Sequence, residues 1–112
     1  MNTNSASDLF GRLSSPARLQ IVQQLMTVGH QGMVAGDLAR ALDISPNNLS
    51  FHLKSLMEVE LVHVSQEGRF MRYFANLPLM ADLIDYLTNA CCSAVADDAC
   101  ESMMKSYTNQ HC

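Results

Sequence analysis

Four cysteines are the residues of this 112-residue chain with distinctive chemistry to offer: Cys91 and Cys92 side by side, Cys100, and Cys112 at the last position. As thiolates they are soft ligands, suited to soft or thiophilic ions. The chain has no basic segment leading into an apolar stretch and no apolar run of membrane-spanning length. A cytoplasmic location is therefore expected, and with it thiols or metal ligands rather than disulfides. Adjacent cysteines lack the Cys-x-x-Cys spacing of thiol oxidoreductases. No Ser/His/Asp set and no phosphate-cradling glycine loop accompanies them, so nothing points to an enzyme or an organic cofactor. Cys91 also falls on the apolar stripe of the segment before it, where a buried, inert cysteine is ordinary. The eight methionines read as core filler.

The elements that would position such a site centre on Asp37 to Val62. Leu38, Ala39 and Leu42 form a short apolar stripe at helical spacing, and Asp43-Ile44 breaks it. Ser45 and Pro46 then restart a helix as N-cap and first-turn proline. Leu49, Leu53, Leu56 and Met57 repeat at i, i+4, i+7 and i+8, which marks one buried face. The opposite face carries Asn47, Asn48, Phe51, Lys54 and Glu58. Two helices around a tight turn, the second amide-rich and free of acid in its first two turns, make a helix-turn-helix pattern.

Leu61 to Gln66 reads as a strand, Glu67-Gly68 as a turn and Arg69 to Asn76 as a second strand. A β-hairpin directly after the second helix is a wing, so the fold class is mainly α with a small β-hairpin: a winged helix-turn-helix. The run from Leu13 to Leu87, about two thirds of the chain, resembles the ArsR/SmtB winged-helix repressors. The resemblance rests on LSSPARLQIVQQL, DLARALDIS, LSFHLKSL and ELVHVSQEGRFMRYFAN, in that order. One departure is Glu60, where the family usually places a glycine that supplies positive φ at the helix end. The departure implies a less clean helix end or local strain, with the angle of the wing at stake.

The resemblance implies a repressor that binds double-stranded operator DNA as a homodimer. Asn47, Asn48, Ser50, Phe51 and Lys54 would face the DNA, with Ser45 at the helix start on a phosphate and Arg69 and Arg72 in or beside the wing. Asparagine suits adenine edges. His52, within the same phrase, is open between helix packing and base reading.

It also implies where an effector binds. A Cys-x-Cys site known in the family has Val34-Ala35-Gly36-Asp37 in its place here, and an Asp-x-His site has Asp82 and Asp85 with no histidine in the last helix. What remains resembles the arsenic-responsive members with a Cys-Cys pair at the end of the last helix and a third cysteine downstream: Cys91, Cys92 and Cys100. The implied inducer is trivalent arsenic, as arsenite or methylarsenite, or antimonite. Three sulfurs on one ion lie on the order of 4 Å apart, given bonds near 2.3 Å. An unbroken helix would carry Cys100 roughly 12 Å along the axis from Cys92. A shared ion thus requires a break, for which Ser93 or Asp97 could serve as a new N-cap. With Asp97 as cap, Cys100 would fall in a first helical turn, which lowers a thiol pKa, while Asp98 and Glu101 oppose that shift. Cys112 reads as a bystander.

The remaining chain fits one small domain of residues 1–92 and a tail of 93–112 carrying further cysteines. Asn4 to Gly11 reads as a marginal helix that must dock on something. Ser15-Pro16 caps a helix whose apolar residues Leu19, Ile21, Val22, Leu25, Met26 and Val28 suggest a buried centre. Met33-Val34 reads as a small strand pairing with the wing. Pro78 opens a last helix in which Leu79, Leu83 and Leu87 share a face beyond what the small core obviously needs. With Leu9 and Phe10, that face is the expected dimer interface. The tail, with Val95, Ala99, Met103 and Tyr107 at fourth-residue spacing, reads either as a short helix or as disorder.

The net charge of −4 looks unsuited to DNA until it is divided. Residues 1–78 hold six basic and six acidic side chains, and residues 79–112 hold only Lys105 against five acids. The acidity belongs to the C-terminal third. Two other functions fit the same residues: a thiol-redox or other soft-metal sensor of this fold, and a protein-interaction winged helix without salt-sensitive DNA affinity.

Overall fold

The computed structural model describes residues 1–89. All four cysteines, the boundary at 92/93 and the stripe of the tail lie outside the described residues.

Helix α1 spans Thr3–Leu13. It is longer at both ends than its apolar residues suggest, because Asn2 and Ser5 cap it reciprocally. The Asn2 side chain accepts from the Ser5 N–H at 2.8 Å, and Ser5 Oγ accepts from the Asn2 N–H at 3.1 Å. Helix α2, Pro16–Val28, starts on the Ser15 cap and stops at Gly29 with φ 58°. It buries Ile21, Val22 and Leu25, but Leu19 and Met26 are exposed, so one of its sides reaches solvent.

A 3-10 turn at Gly29–Gln31 leads into β1, Met33–Val34, then α3, Ala35–Leu42, and α4, Pro46–Glu58. Strands β2, Val62–Glu67, and β3, Phe70–Ala75, form the wing, and α5, Leu77–Thr88, follows. The sheet order is β1-β3-β2, all antiparallel, with Met33 opposite Tyr73 and Val62 opposite Ala75. The expected small strand does pair with the wing. Gly32 permits it: a Cβ there would lie 2.6 Å from the Tyr73 carbonyl oxygen and 2.7 Å from the Phe74 ring. The hairpin turn is Gly68-Arg69 rather than Glu67-Gly68. Glu67 pairs with Phe70, and Gly68 supplies the positive φ that a tight hairpin needs at its first central residue.

One core joins these elements. Leu38, Leu49, Leu53, Leu56 and Leu61 meet Ile21, Val22 and Leu25, with Val62 and Ala75 from the sheet. Helix α5 contributes Leu83, only 1% exposed, and α1 contributes Ala6 and Leu9. The residues of the expected dimer stripe are divided in the protomer. Leu83 and Leu9 are used inside the protomer, and Leu79 packs against the same core. The apolar face of α5 left exposed is Leu77, Ile84 and Leu87, the last 60% exposed, beside Met26 of α2. Phe10 is also exposed. Among the described residues no helix is long and apolar enough to cross a membrane.

Candidate nucleic-acid interface

The turn between α3 and α4 is set by a residue in the left-handed region. Asp43 has φ 52°, and the Ile44 N–H reaches back to the Ala39 carbonyl at 3.0 Å. Such a turn closes one helix and releases the chain to begin the next within a few residues. Ser45 then accepts from the Asn48 N–H at 3.3 Å, and Pro46 occupies the first turn, where a missing N–H costs nothing. The Ser45 oxygen is thus an N-cap first, and its hydroxyl proton remains available to an acceptor outside.

With Leu49, Leu53 and Leu56 buried, α4 presents Asn47, Asn48, Ser50, Phe51 and Lys54 to solvent together. These are the recognition-face residues expected from the sequence. His52 stands at the edge of this face, half-buried. Its Nδ1 is enclosed without a hydrogen-bond partner, and its ring meets that of Phe51 edge-on at 5.5 Å.

Two arginines that sequence reasoning treated only as charge hold α4 in place. Arg12 Nη1 donates to the Ser55 carbonyl oxygen at 3.0 Å, to Ser55 Oγ at 3.0 Å and to Glu58 Oε2 at 2.9 Å. Arg18 Nε donates to the Arg12 carbonyl oxygen at 2.7 Å, and its Nη1 reaches Ser55 Oγ at 3.4 Å. Helices α1, α2 and α4 are thereby joined through one serine. The Arg12 guanidinium also holds the Glu58 carboxyl below its usual pKa, against a smaller opposing effect of desolvation. That contribution is complete above the ordinary carboxylate range and is lost as pH falls through the lowered value.

The far end of α4 shows what Glu60 does. The Glu60 N–H donates to the Met57 carbonyl and the Leu61 N–H to the Leu56 carbonyl, each at 3.0 Å, so the helix closes cleanly. The strain falls on Glu60 itself, which sits at φ 64°. Asn76 secures this corner. Its Nδ2 donates to the Glu60 carbonyl at 2.8 Å, its Oδ1 accepts from the Leu79 N–H at 3.2 Å as the cap of α5, and its own N–H donates to the Leu61 carbonyl at 3.0 Å. Glu60→Gly is expected to raise folding stability by about 0.5–1 kcal/mol, the left-handed penalty less the larger entropy loss of glycine. Thermal unfolding checks this; a lowered midpoint would mean that the Glu60 side chain itself stabilises the corner.

The wing separates its two arginines. Arg69 lies exposed in the turn. Arg72 is engaged: its Nε donates to both Glu67 carboxylate oxygens at 3.1 Å, and its Nη1 donates to the Gln31 carbonyl at 3.1 Å. It ties the wing to the 3-10 turn, whereas Arg69 makes no such tie. Arg12 and Arg40 are also paired, with Glu58 and Asp37. Lys54 and Arg69 form no salt bridge among the described residues; one lies on the recognition helix and the other at the wing tip. No group of three His, Cys, Asp or Glu side chains among the described residues is placed to hold a metal ion.

Comparisons with known proteins agree with this geometry. The family model described as a helix-turn-helix domain matches residues 13–65. The transcriptional repressor SdpR of Bacillus subtilis is 31% identical over 83 residues, covering 74% of this chain and 89% of that protein. An ArsR-like transcriptional regulator from Rhodococcus sp. RHA1 shares the fold, with a TM-score of 0.69 at 24% identity over 91% of this chain and 92% of the other. Reduced HlyU from Vibrio cholerae gives a TM-score of 0.63 at 27% identity, over 77% of this chain and 90% of that one. This is a family of regulators, not of enzymes, whose members bind operator DNA, often as homodimers. The chain belongs to the ArsR family of winged helix-turn-helix transcriptional regulators.

Proposed function

We propose that this protein is a cytoplasmic repressor that binds an inverted-repeat operator as a homodimer and is released when trivalent arsenic binds its cysteine thiolates. The observation that carries the DNA half is the exposed face of α4. Amides, a hydroxyl and one cation stand together there, and Arg69, exposed and in no salt bridge among the described residues, lies at the wing tip. Dimerisation is supported by the apolar face of Leu77, Ile84 and Leu87, which no element of the protomer covers among the described residues. Two recognition helices would then enter successive major grooves about 34 Å apart.

The effector half rests on chemistry and sequence position. Cys91 and Cys92 follow within four residues of the last residue of α5, the helix that carries the exposed face. Thiolates there suit a thiophilic metalloid, and an ion bound beside the interface can change how the protomers sit. A second reading, a thiol-redox switch on the same cysteines, is favoured by the likeness to HlyU, whose structure is of the reduced protein.

Titration of the operator complex with arsenite, methylarsenite, antimonite, zinc, cadmium and peroxide, side by side, separates the two. Release by an arsenical at stoichiometric concentration is expected. Release by peroxide or zinc, but by neither arsenical, would overturn the proposal.

The DNA face has its own test. Asn47→Ala is expected to relax sequence preference, costing about 1–3 kcal/mol at the base it reads. Arg69→Ala should weaken all sequences alike and lower the salt slope by about one for each phosphate no longer neutralised. Unchanged operator affinity in both variants would count against this face.

A further inference from the structure

A single phenyl ring stands on the otherwise polar outer face of α4. Phe51 is 67% exposed, with Asn47 one turn before it and Lys54 one turn after. Its ring lies edge-on to that of His52 at an interplanar angle of 71°, and His52 is half-buried at the edge of the face. The ring is therefore braced on its helix while presenting carbon alone to whatever α4 meets. Base edges in the major groove offer polar atoms and one apolar group, the C5-methyl of thymine.

The residues around the ring select the same base pairs. Guanine is read by arginine or lysine, and cytosine by aspartate or glutamate. The first two turns of α4 carry none of these, Lys54 comes in the third turn, and Glu58 is held by Arg12. Asn47 and Asn48 match the N6 and N7 groups of adenine. Asn47 and Phe51 are separated by about 6 Å along the helix axis, a span of one or two base steps of about 3.4 Å.

We infer, resting on the DNA-binding reading above, that Phe51 is a specificity-determining residue. It packs on the methyl group of a thymine, and the half-site read by α4 is built of A·T pairs with adenine facing the amides.

Operators selected from random duplexes with the full-length chain are expected to hold A·T pairs where α4 binds. In the tightest of them, each thymine is replaced in turn by deoxyuridine, which removes only the methyl group. One position in each half-site should then weaken wild-type binding about fourfold, the value of one buried carbon group. The same replacement should leave Phe51→Ala binding unchanged, whereas Phe51→Leu, which keeps an apolar contact, should retain the sensitivity. Equal deoxyuridine effects in wild type and Phe51→Ala, or half-sites dominated by G·C pairs, would overturn the inference while leaving DNA binding intact. Absence of salt-dependent binding to any duplex would overturn the DNA-binding reading itself, and this inference with it.

Discussion

Cys91→Ser and Cys92→Ser are each expected to leave operator affinity unchanged and to abolish release by trivalent arsenic. A hydroxyl is close in size to a thiol but is a hard, weakly acidic donor with little affinity for a thiophilic ion. The expected loss is large because the switch needs differential binding: a 100-fold fall in operator affinity requires about 2.7 kcal/mol of coupling between the ion and DNA. Without a complete ligand set, that coupling disappears. Cys100→Ser divides two inducers. Inorganic arsenite and antimonite can engage three thiolates, whereas a methylated arsenical offers two positions. If Cys100 is dispensable, methylarsenite is the fitting inducer; if it is required, the inorganic forms are. Cys112→Ser should be silent. Full arsenical release from a Cys91→Ser, Cys92→Ser double variant would sink the assignment.

Two leucines one turn apart on α5 should behave in opposite ways. Leu83 is enclosed by the core, so Leu83→Ala should destabilise the protomer by about 2–5 kcal/mol through reduced burial and a residual cavity. Leu87 is largely exposed, so Leu87→Glu should leave the protomer folded. In the proposed dimer it would set a carboxylate in the apolar contact of each subunit. The expected result is a monomer at micromolar concentration and a loss of operator affinity of 100-fold or more, because two half-sites are no longer engaged together. Denaturant unfolding measures the first effect; sedimentation and operator binding measure the second. A Leu87→Glu protein that remains dimeric and binds tightly would place the interface elsewhere.

The helix-turn-helix was legible because its signals are local. Ser45-Pro46 starts a helix whatever surrounds it, and the spacing of Leu49, Leu53 and Leu56 names the buried face directly. The outward residues of α4 follow as its complement. Features decided by distant partners were not legible. Arg69 and Arg72 are three residues apart and equivalent in sequence, yet one is exposed and the other engaged by a carbonyl 41 residues away. Leu79, Leu83 and Leu87 form one stripe on paper, and only the curvature of the core decides where burial stops. Arg12 and Ser55, 43 residues apart, carry no shared pattern that could have announced their contact. The position of the wing turn differs by one residue from the sequence expectation because Gly68 suits either register until the strands are paired.

Asn76 has a mechanical consequence. This one side chain fastens the exit of α4 to the entry of α5, while Arg12 and Arg18 fasten the other flank of α4 to α1 and α2. The reading head and the helix bearing the exposed apolar face are therefore fastened to each other at their junction. In the proposed dimer, two such units would act like a pair of callipers that open and close at the shared apolar face. An ion bound at the end of α5 would then change the span between the two jaws, and operator DNA would measure that span through the pitch of its own helix.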